Sequence, residues 1–328
     1  MKVLISDYVA GLMPTHDYEC SILEFSIPDV ETEVYVYTDE NREEFLNKME
    51  DVDALLTAFI KIDKEVFDRS KKLKCISINA TGYDNVDLEE ATKHKVGVFP
   101  VGEYCTLDVA EHTIALMLAL NKNLKHYIKD IDEKHIWKYN SVDNPVRIGN
   151  QVLGIFGFGK IGKAVAKLAQ GLGMEVIAHD PNVDRDLAKS MGVKLVDKES
   201  VLRTADVITN HMNLDKSNTA YFTRKEFEMM QKKPILLNLG RGMSINEDDL
   251  AYALDKGLVR AAGLDVLYDE NPDLKYHKLA HRENVIITPH SAFFSYDSIR
   301  DLQRISCENI VYYLLGKKDK VFKLVNEP

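Results

Sequence analysis

The chain has 328 residues, 45% hydrophobic and 29% charged, with a formal net charge of −10. This length and composition fit two ordinary globular domains with real cores. The acidic balance argues against a nucleic-acid partner, whose phosphates it would repel, but leaves room for a small anionic substrate held by a local positive charge.

Along the chain, the first hundred residues alternate strand and helix patterns. Strands are expected at 3–6, 33–37, 54–57, 75–78 and 96–99, with helical stretches such as 41–49 and 63–71 between them. Such alternation implies a parallel sheet with helices on both faces. A long helix at 107–120 leads out of this set. An apolar strand at 152–156 then runs into Gly157-Phe158-Gly159-Lys160-Ile161-Gly162. A helix pattern follows, with Ala164, Val165, Leu168 and Ala169 apolar on one side, and a second strand ends in Asp180. Later strands are expected at 207–209, 235–239, 262–266 and 285–288, joined by helical patterns at 225–230 and 248–254. A last long helix at 298–315 returns the chain to the first set. The expected fold is therefore α/β, with two doubly wound parallel-sheet domains. Residues 1–103 plus 296–328 would form one, residues 104–295 the other, and a cleft between such domains is a natural ligand site.

The segment 152–180 has the layout of a dinucleotide-binding βαβ unit. Gly157 would permit the tight turn, Gly159 a close backbone approach to a pyrophosphate, and Gly162 close packing of helix on strand. The helix N-terminus would offer N–H groups and the positive end of its dipole to the phosphates. Asp180 would accept hydrogen bonds from a ribose diol and repel a 2′-phosphate, so NAD is favoured over NADP.

Other features narrow the setting. The four cysteines, at 20, 75, 105 and 307, form no CxxC pair and no Cys/His metal spacing. Neither disulfides nor a metal site is expected, and a cytoplasmic protein with reduced thiols is the simplest reading. Asp7 interrupts the first apolar run too early for a signal-peptide core. The apolar stretch 114–120 is far short of a membrane span.

Three ionisable residues follow late strands of the nucleotide half. Arg241 lies in Asn238-Leu239-Gly240-Arg241-Gly242, Glu270 in Tyr268-Asp269-Glu270-Asn271-Pro272, and His290 in Thr288-Pro289-His290-Ser291. Ligands of open α/β sheets bind beyond the carboxyl ends of strands, so all three are placed to face one crevice. Arginine can hold a carboxylate bidentately and polarise a carbonyl. Histidine exchanges a proton near neutral pH, and a neighbouring carboxylate stabilises its imidazolium. Carbonyl reduction by a nicotinamide needs such a set.

These segments resemble the D-isomer-specific 2-hydroxyacid dehydrogenase family, through 73–91 (LKCISINATGYDNVDLEEA), 109–120 (VAEHTIALMLAL), the glycine unit, LNLGRG, GLDVLYDENP and ITPHSAF. The resemblance spans nearly the whole chain and implies a Rossmann NAD domain beside a flavodoxin-like substrate domain. It implies Arg241 as the substrate-binding arginine, His290 as proton donor and acceptor, and Glu270 as its partner. Asp265 resembles the family aspartate near the nicotinamide carboxamide. Lys160 and Ile161 match the pyrophosphate turn. His211, Met212, Asn213 and Asn218 resemble the loop over the adenosine side, and Leu239 and Gly240 the nicotinamide side. Thr81 and Gly82 match the loop whose N–H groups hold the substrate carboxylate, and Tyr104 resembles a pocket tyrosine of lactate-type members. A homodimer through the nucleotide domain is implied as well.

The chain departs from the family in places. Asn213 stands where proline is usual, which weakens the match at the adenosine loop. Thr57-Ala58-Phe59-Ile60 carries no basic residue of the phosphoglycerate type, and no carboxyl-terminal regulatory domain is read. Both argue against a phosphorylated substrate. Glu270 argues against formate-type activity, where an amide takes its place. Phe59, Ile60, Phe293 and Phe294 could line an apolar side-chain pocket or serve ordinary packing. The expected function is an NAD-dependent reductase of 2-oxoacids to (R)-2-hydroxyacids. The alternative is an NAD(H)-sensing module like the family's corepressors, which retain the same Arg/Glu/His set.

Overall fold

The computed structural model describes residues 1–13, 15–142, 145–214 and 218–328. The chain divides into two compact units, Met1–Tyr104 with Ser295–Pro328, and Cys105–Phe294. The first unit runs β1 (Lys2–Asp7), α1 (Asp17–Ser26), β2 (Glu31–Val36), α2 (Arg42–Met49), β3 (Ala54–Thr57), α3 (Lys64–Arg69), β4 (Cys75–Ile78), α4 (Leu88–Lys93) and β5 (Gly97–Pro100). The second runs α5 (Thr106–Asn121), α6 (Leu124–Asp132), β6 (Val152–Phe156), α7 (Lys160–Gly171), β7 (Glu175–His179), α8 (Arg185–Ser190), β8 (Lys194–Leu195), α9 (Lys198–Thr204), β9 (Val207–Asn210), α10 (Arg224–Glu228), β10 (Ile235–Asn238), α11 (Glu247–Asp255), β11 (Ala261–Leu264) and β12 (Val285–Ile287). The chain then re-enters the first unit with α12 (Tyr296–Leu314), whose start is fixed by a capping box between Ser295 and Ser298.

In the first unit, five parallel strands lie in the order β2-β1-β3-β4-β5. This is the flavodoxin-like order. The inner strands ALLT and CISI are buried at every residue, as expected when helices cover both faces. Alternate residues of β1 serve opposite faces. Leu4 packs with Phe45, Leu55, Phe67 and Ile76, whereas Val3 and Ile5 pack with Leu23, Leu56, Phe99 and Ile310 of α12.

The second unit holds seven parallel strands in the order β12-β11-β10-β9-β6-β7-β8. Counted from β6, this is the Rossmann order 3-2-1-4-5-6 with one strand added, and the order reverses between β6 and β9. Every strand therefore ends on the same edge, where the loops after β6, β9, β10, β11 and β12 lie side by side. The observed strands and long helices fall within about two residues of the expected ones. Among the described residues, no helix is long and apolar enough to cross a membrane, and no group of three or more His, Cys, Asp or Glu is placed to hold a metal ion.

Candidate active site

The glycine turn joins β6 to α7. Gly157 has φ +83°, a left-handed conformation that side chains other than glycine rarely adopt. A Cβ there would also stand 2.7 Å from the Met212 amide nitrogen. A Cβ on Gly162 would stand 2.2 Å from the Gly157 carbonyl oxygen. Around Gly159, by contrast, nothing lies within 4 Å of the place a Cβ would take. Gly159 is the N-cap of α7 and has no capping side chain, and the first turn carries no acid. Lys160 opens the helix, exposed, while Ile161 packs on the core. Asp180, just past β7, accepts hydrogen bonds from the Phe158 N–H and the Asn182 N–H, both at 2.9 Å. The open Gly159, the uncapped amides of α7 and the acid tied to the same turn fit a dinucleotide pyrophosphate and ribose.

The loop after β9 lies against this turn. His211 donates its backbone N–H to the Phe156 carbonyl at 2.8 Å. Its ring Nε2 lies 2.9 Å from Thr209 Oγ1, while Nδ1 is buried with no partner among the described residues. Burial pushes the imidazole pKa down to about 3, so the ring is neutral. Asn218 is buried, and its side-chain amide donates to the Asn213 carbonyl, closing the loop that carries Met212 and Asn213.

Arg241 follows β10 between two glycines that have a packing reason. A Cβ on Gly240 would come within 2.9 Å of the Met212 carbonyl oxygen, and one on Gly242 within 1.8 Å of the Leu267 carbonyl oxygen. The turn is thus wedged between the loops after β9 and β11. Asn238 Nδ2 donates to the Arg241 carbonyl at 3.1 Å, and Ser244 Oγ donates to it at 2.6 Å. Leu239 is buried beneath. The Arg241 side chain is exposed, with one guanidinium N–H donating to the Gly240 carbonyl at 2.9 Å.

His290 follows β12 in a turn with φ +48°, a conformation that costs an L residue about 1–2 kcal/mol and must be held from outside. Its Nδ1 lies 2.9 Å from Glu270 Oε2. A carboxylate only accepts, so Nδ1 carries the proton and Nε2 is the atom left to exchange one. The turn is held by Asp265, which is buried at the end of β11. Its Oδ1 accepts from Thr288 Oγ1 at 2.6 Å and from the Ser291 N–H at 3.0 Å, and its Oδ2 accepts from the Ala292 N–H at 3.0 Å. The His290 N–H donates to the Asp265 carbonyl at 2.8 Å. The carboxylate of Asp265 is thus engaged with the His290 turn. Thr288 and Ser291, which sequence reading did not single out, complete that anchor.

In the first unit, Thr81 and Gly82 lie in the loop after β4, Thr81 exposed, and Tyr104 is the last residue before the chain leaves the unit. Of the two readings left open for 57–60, ordinary packing holds for Ile60. Ile60 is fully buried in the first unit's own core, because Asn85 Nδ2 donates to the carbonyls of Ala58 and Ile60 and folds the loop inward. Phe59 stays 61% exposed and Phe294 69% exposed, whereas Phe293 packs against the second unit's core. Asp7, which the sequence marks only as a charge interrupting the first apolar run, is buried behind this loop. It accepts the N–H of Ala58, of Phe59 at 3.0 Å and of Tyr8 at 2.8 Å, and burial pushes its pKa up despite those donors.

With this geometry in place, four likenesses bear on it. Residues 114–292 match the family model for the NAD-binding domain of D-isomer specific 2-hydroxyacid dehydrogenases. The chain is 33% identical, over its whole length, to D-3-phosphoglycerate dehydrogenase of Methanocaldococcus jannaschii, and spans 60% of that protein. It is 32% identical to glyoxylate reductase of Thermococcus litoralis, with 83% of each chain covered. Its fold superposes on the crystal structure of D-lactate dehydrogenase from Aquifex aeolicus complexed with NAD and lactic acid, with a TM-score of 0.84, 25% identity and 99% of both chains covered. The chain spans between 40% and 60% of the length of the phosphoglycerate dehydrogenases it matches. The chain belongs to the D-isomer specific 2-hydroxyacid dehydrogenase family and carries that family's NAD-binding domain.

Proposed function

We propose that the protein is an NAD-dependent (R)-2-hydroxyacid dehydrogenase working as a 2-oxoacid reductase. The observation that carries the reading is the 2.9 Å His290–Glu270 pair, on the same sheet edge as Arg241 and the glycine turn. Bound NADH supplies the hydride. Arg241 binds the substrate carboxylate and draws charge onto the carbonyl oxygen. The family resemblance assigns Thr81 and Gly82 as backbone N–H donors to a substrate carboxylate and Tyr104 as a pocket residue. His290 delivers the proton from Nε2 to the carbonyl oxygen, while Glu270 holds Nδ1–H and steadies the imidazolium before transfer. Asp180 selects the unphosphorylated ribose, and Gly157, Gly159, Lys160, Ile161 and Gly162 hold the pyrophosphate.

A small unphosphorylated oxoacid is favoured over a phosphorylated one. The loop at 57–60 carries no basic side chain to receive a phosphate, and its large exposed side chain is Phe59. The four free cysteines, two of them buried, suit a reducing, cytoplasmic compartment. A homodimer is supported by the apolar surface of α6 and the segment after it. There Ile128 is 59%, Trp137 93% and Tyr139 89% exposed, more than an isolated unit normally leaves to water.

The test is NADH consumption with pyruvate, phenylpyruvate, glyoxylate, hydroxypyruvate and branched 2-oxoacids, with the product's configuration read by chiral chromatography. At least one acid should turn over, with chiral products of R configuration. Tight NADH binding with no turnover of any of them would overturn the reading.

A further inference from the structure

Helix α5 carries His112, Leu116 and Leu120 one turn apart on a single face. Leu116 and Leu120 lie over β11 at Gly263, where a Cβ would approach Leu120 Cδ1 at 3.1 Å and Leu116 Cβ at 3.4 Å. The missing side chain lets the helix lie close to the strand. One turn nearer the helix start, His112 reaches past the end of β11. There its Nε2 lies 3.1 Å from Thr288 Oγ1 and 3.7 Å from Asp265 Oδ1. The Thr288 hydroxyl has one proton, and that proton is committed to Asp265 Oδ1 at 2.6 Å. The 3.1 Å contact is therefore His112 Nε2–H donating to Thr288 Oγ1, which fixes the tautomer of His112. Donation runs from His112 to Thr288 to Asp265, and Asp265 also gathers the Ser291 and Ala292 N–H groups just beyond His290.

We propose that His112 is a positioning residue for the reaction, acting through Thr288 and Asp265 to hold the turn that carries His290. This rests on the reading of His290 as proton donor. The His290 backbone is left-handed, so the turn keeps its shape only while the surrounding bonds over-determine it. Without the His112 donor, the Thr288 hydroxyl is no longer oriented from behind. It is then free to rotate off Asp265, and the imidazole spends less time where its Nε2 can reach substrate. The Asp265 carboxylate and the glycine turn on β6 both remain in such a variant, so NADH binding should be little affected.

Three variants test this. H112F keeps a ring of similar size without the donor, H112Q keeps a donor, and T288V keeps the volume and loses the hydroxyl. H112F and T288V should each lower kcat by about tenfold, the share of one hydrogen bond to a charged group, with NADH Kd within about twofold of wild type. H112Q should stay within about threefold of wild type, and H112F/T288V should be no slower than T288V alone, since both cut the same chain. Additive losses, or a glutamine no better than phenylalanine, would mean that His112 merely fills space, and would overturn the proposal. Should H112F fail to fold, T288S against T288V carries the same test, because serine keeps the hydroxyl. A readout that needs no turnover separates this proposal from the activity reading. In 15N-histidine NMR, His112 should show the Nε2–H tautomer with a protected ring proton that is lost in T288V. A missing signal, or one indifferent to T288V, refutes the tether. An intact signal in a protein that reduces no 2-oxoacid refutes the catalytic role alone.

Discussion

Two alanine substitutions three residues apart separate the structural task of the glycine turn from its binding task. In Gly162→Ala the new Cβ would stand 2.2 Å from the Gly157 carbonyl oxygen, with Ile155 Cγ2 at 3.3 Å on another side. An ordinary contact needs roughly 1 Å more, and the obstacle is backbone, which cannot rotate away as a side chain would. Gly157 is further tied by its N–H to the His179 carbonyl at 3.1 Å. The cost should be that of overpacking, about 1–3 kcal/mol. For a unit of this size that lowers the Tm of the cofactor-free protein by about 2–4 °C per kcal/mol. In Gly159→Ala the methyl meets nothing within 4 Å, and the backbone at φ −73° accepts it. The Tm without cofactor should not move. The methyl instead occupies the space through which a phosphate reaches the uncapped amides of α7. Losing one or two charge-assisted bonds weakens NADH by about 1.5–3 kcal/mol, roughly 10- to 150-fold in Kd. The assay is thermal denaturation with and without NADH, alongside a Kd from nicotinamide fluorescence. At an NADH concentration of 100 wild-type Kd, the wild type gains about 2.7 kcal/mol and Gly159→Ala about 0.3–1.4 kcal/mol. Wild-type NADH affinity in Gly159→Ala would refute the assignment of this turn to the pyrophosphate. An unchanged Tm in Gly162→Ala would refute the packing account.

Four further outcomes are expected. Arg241→Ala should lose about 2–4 kcal/mol of transition-state stabilisation in kcat/KM for the oxoacid while leaving NADH Kd unchanged, and steady-state kinetics with fluorescence titration check both. Glu270→Gln keeps an acceptor for His290 Nδ1–H but removes the charge, and because the pair is 44% and 56% exposed the loss in kcat/KM should be only about tenfold. His211, with its pKa pushed down to about 3, binds fewer protons folded than unfolded between pH 6.5 and 3. Its contribution is therefore intact above pH 6.5 and lost on acidification, by up to about 1.4 kcal/mol per pH unit. Urea titrations of His211→Gln should show a shallower fall in stability over that window than the wild type. Trp137→Glu should shift the protein from dimer to monomer in light scattering without unfolding it, since Trp137 is almost wholly exposed within one chain.

How much of this could be read in advance depends on how far apart the interacting groups lie in the chain. ALLT and CISI announce buried strands because both faces are covered and the runs are largely apolar, with the Ser77 hydroxyl satisfied by the Ser306 carbonyl. The glycine unit is legible because strand, turn, helix and acid follow one another within thirty residues. The two-residue strand β8 and the short helices α4, α8 and α9 were not named. Each is held by neighbours rather than by its own periodicity, although Asp87, Asp184 and Asp197 cap those helices and offered a local signal. The sequence leaves the direction of Ile60 open for a similar reason. An apolar residue just past a strand can turn inward or outward, and the amide that turns it inward belongs to Asn85.

The same distance argument governs the candidate site. Arg241, Glu270 and His290 announce themselves because each follows its own strand and parallel strands share one carboxyl edge. The groups that hold His290 give no such sign. Asp265 meets Thr288, Ser291 and Ala292 across 23 to 27 residues, and His112 meets Thr288 across 176. An aspartate at a strand end reads from sequence as a group near a ligand, and that reading gives no sign of the turn it also holds. In the folded chain, Asp265 accepts three hydrogen bonds from the turn it supports. A residue that bears the reaction and a residue that bears the turn are alike in type and differ only in what their oxygens and nitrogens face. Burial is the visible difference here: Asp265 is 2% exposed, whereas the side chains of His290 and Glu270 are about half open to water.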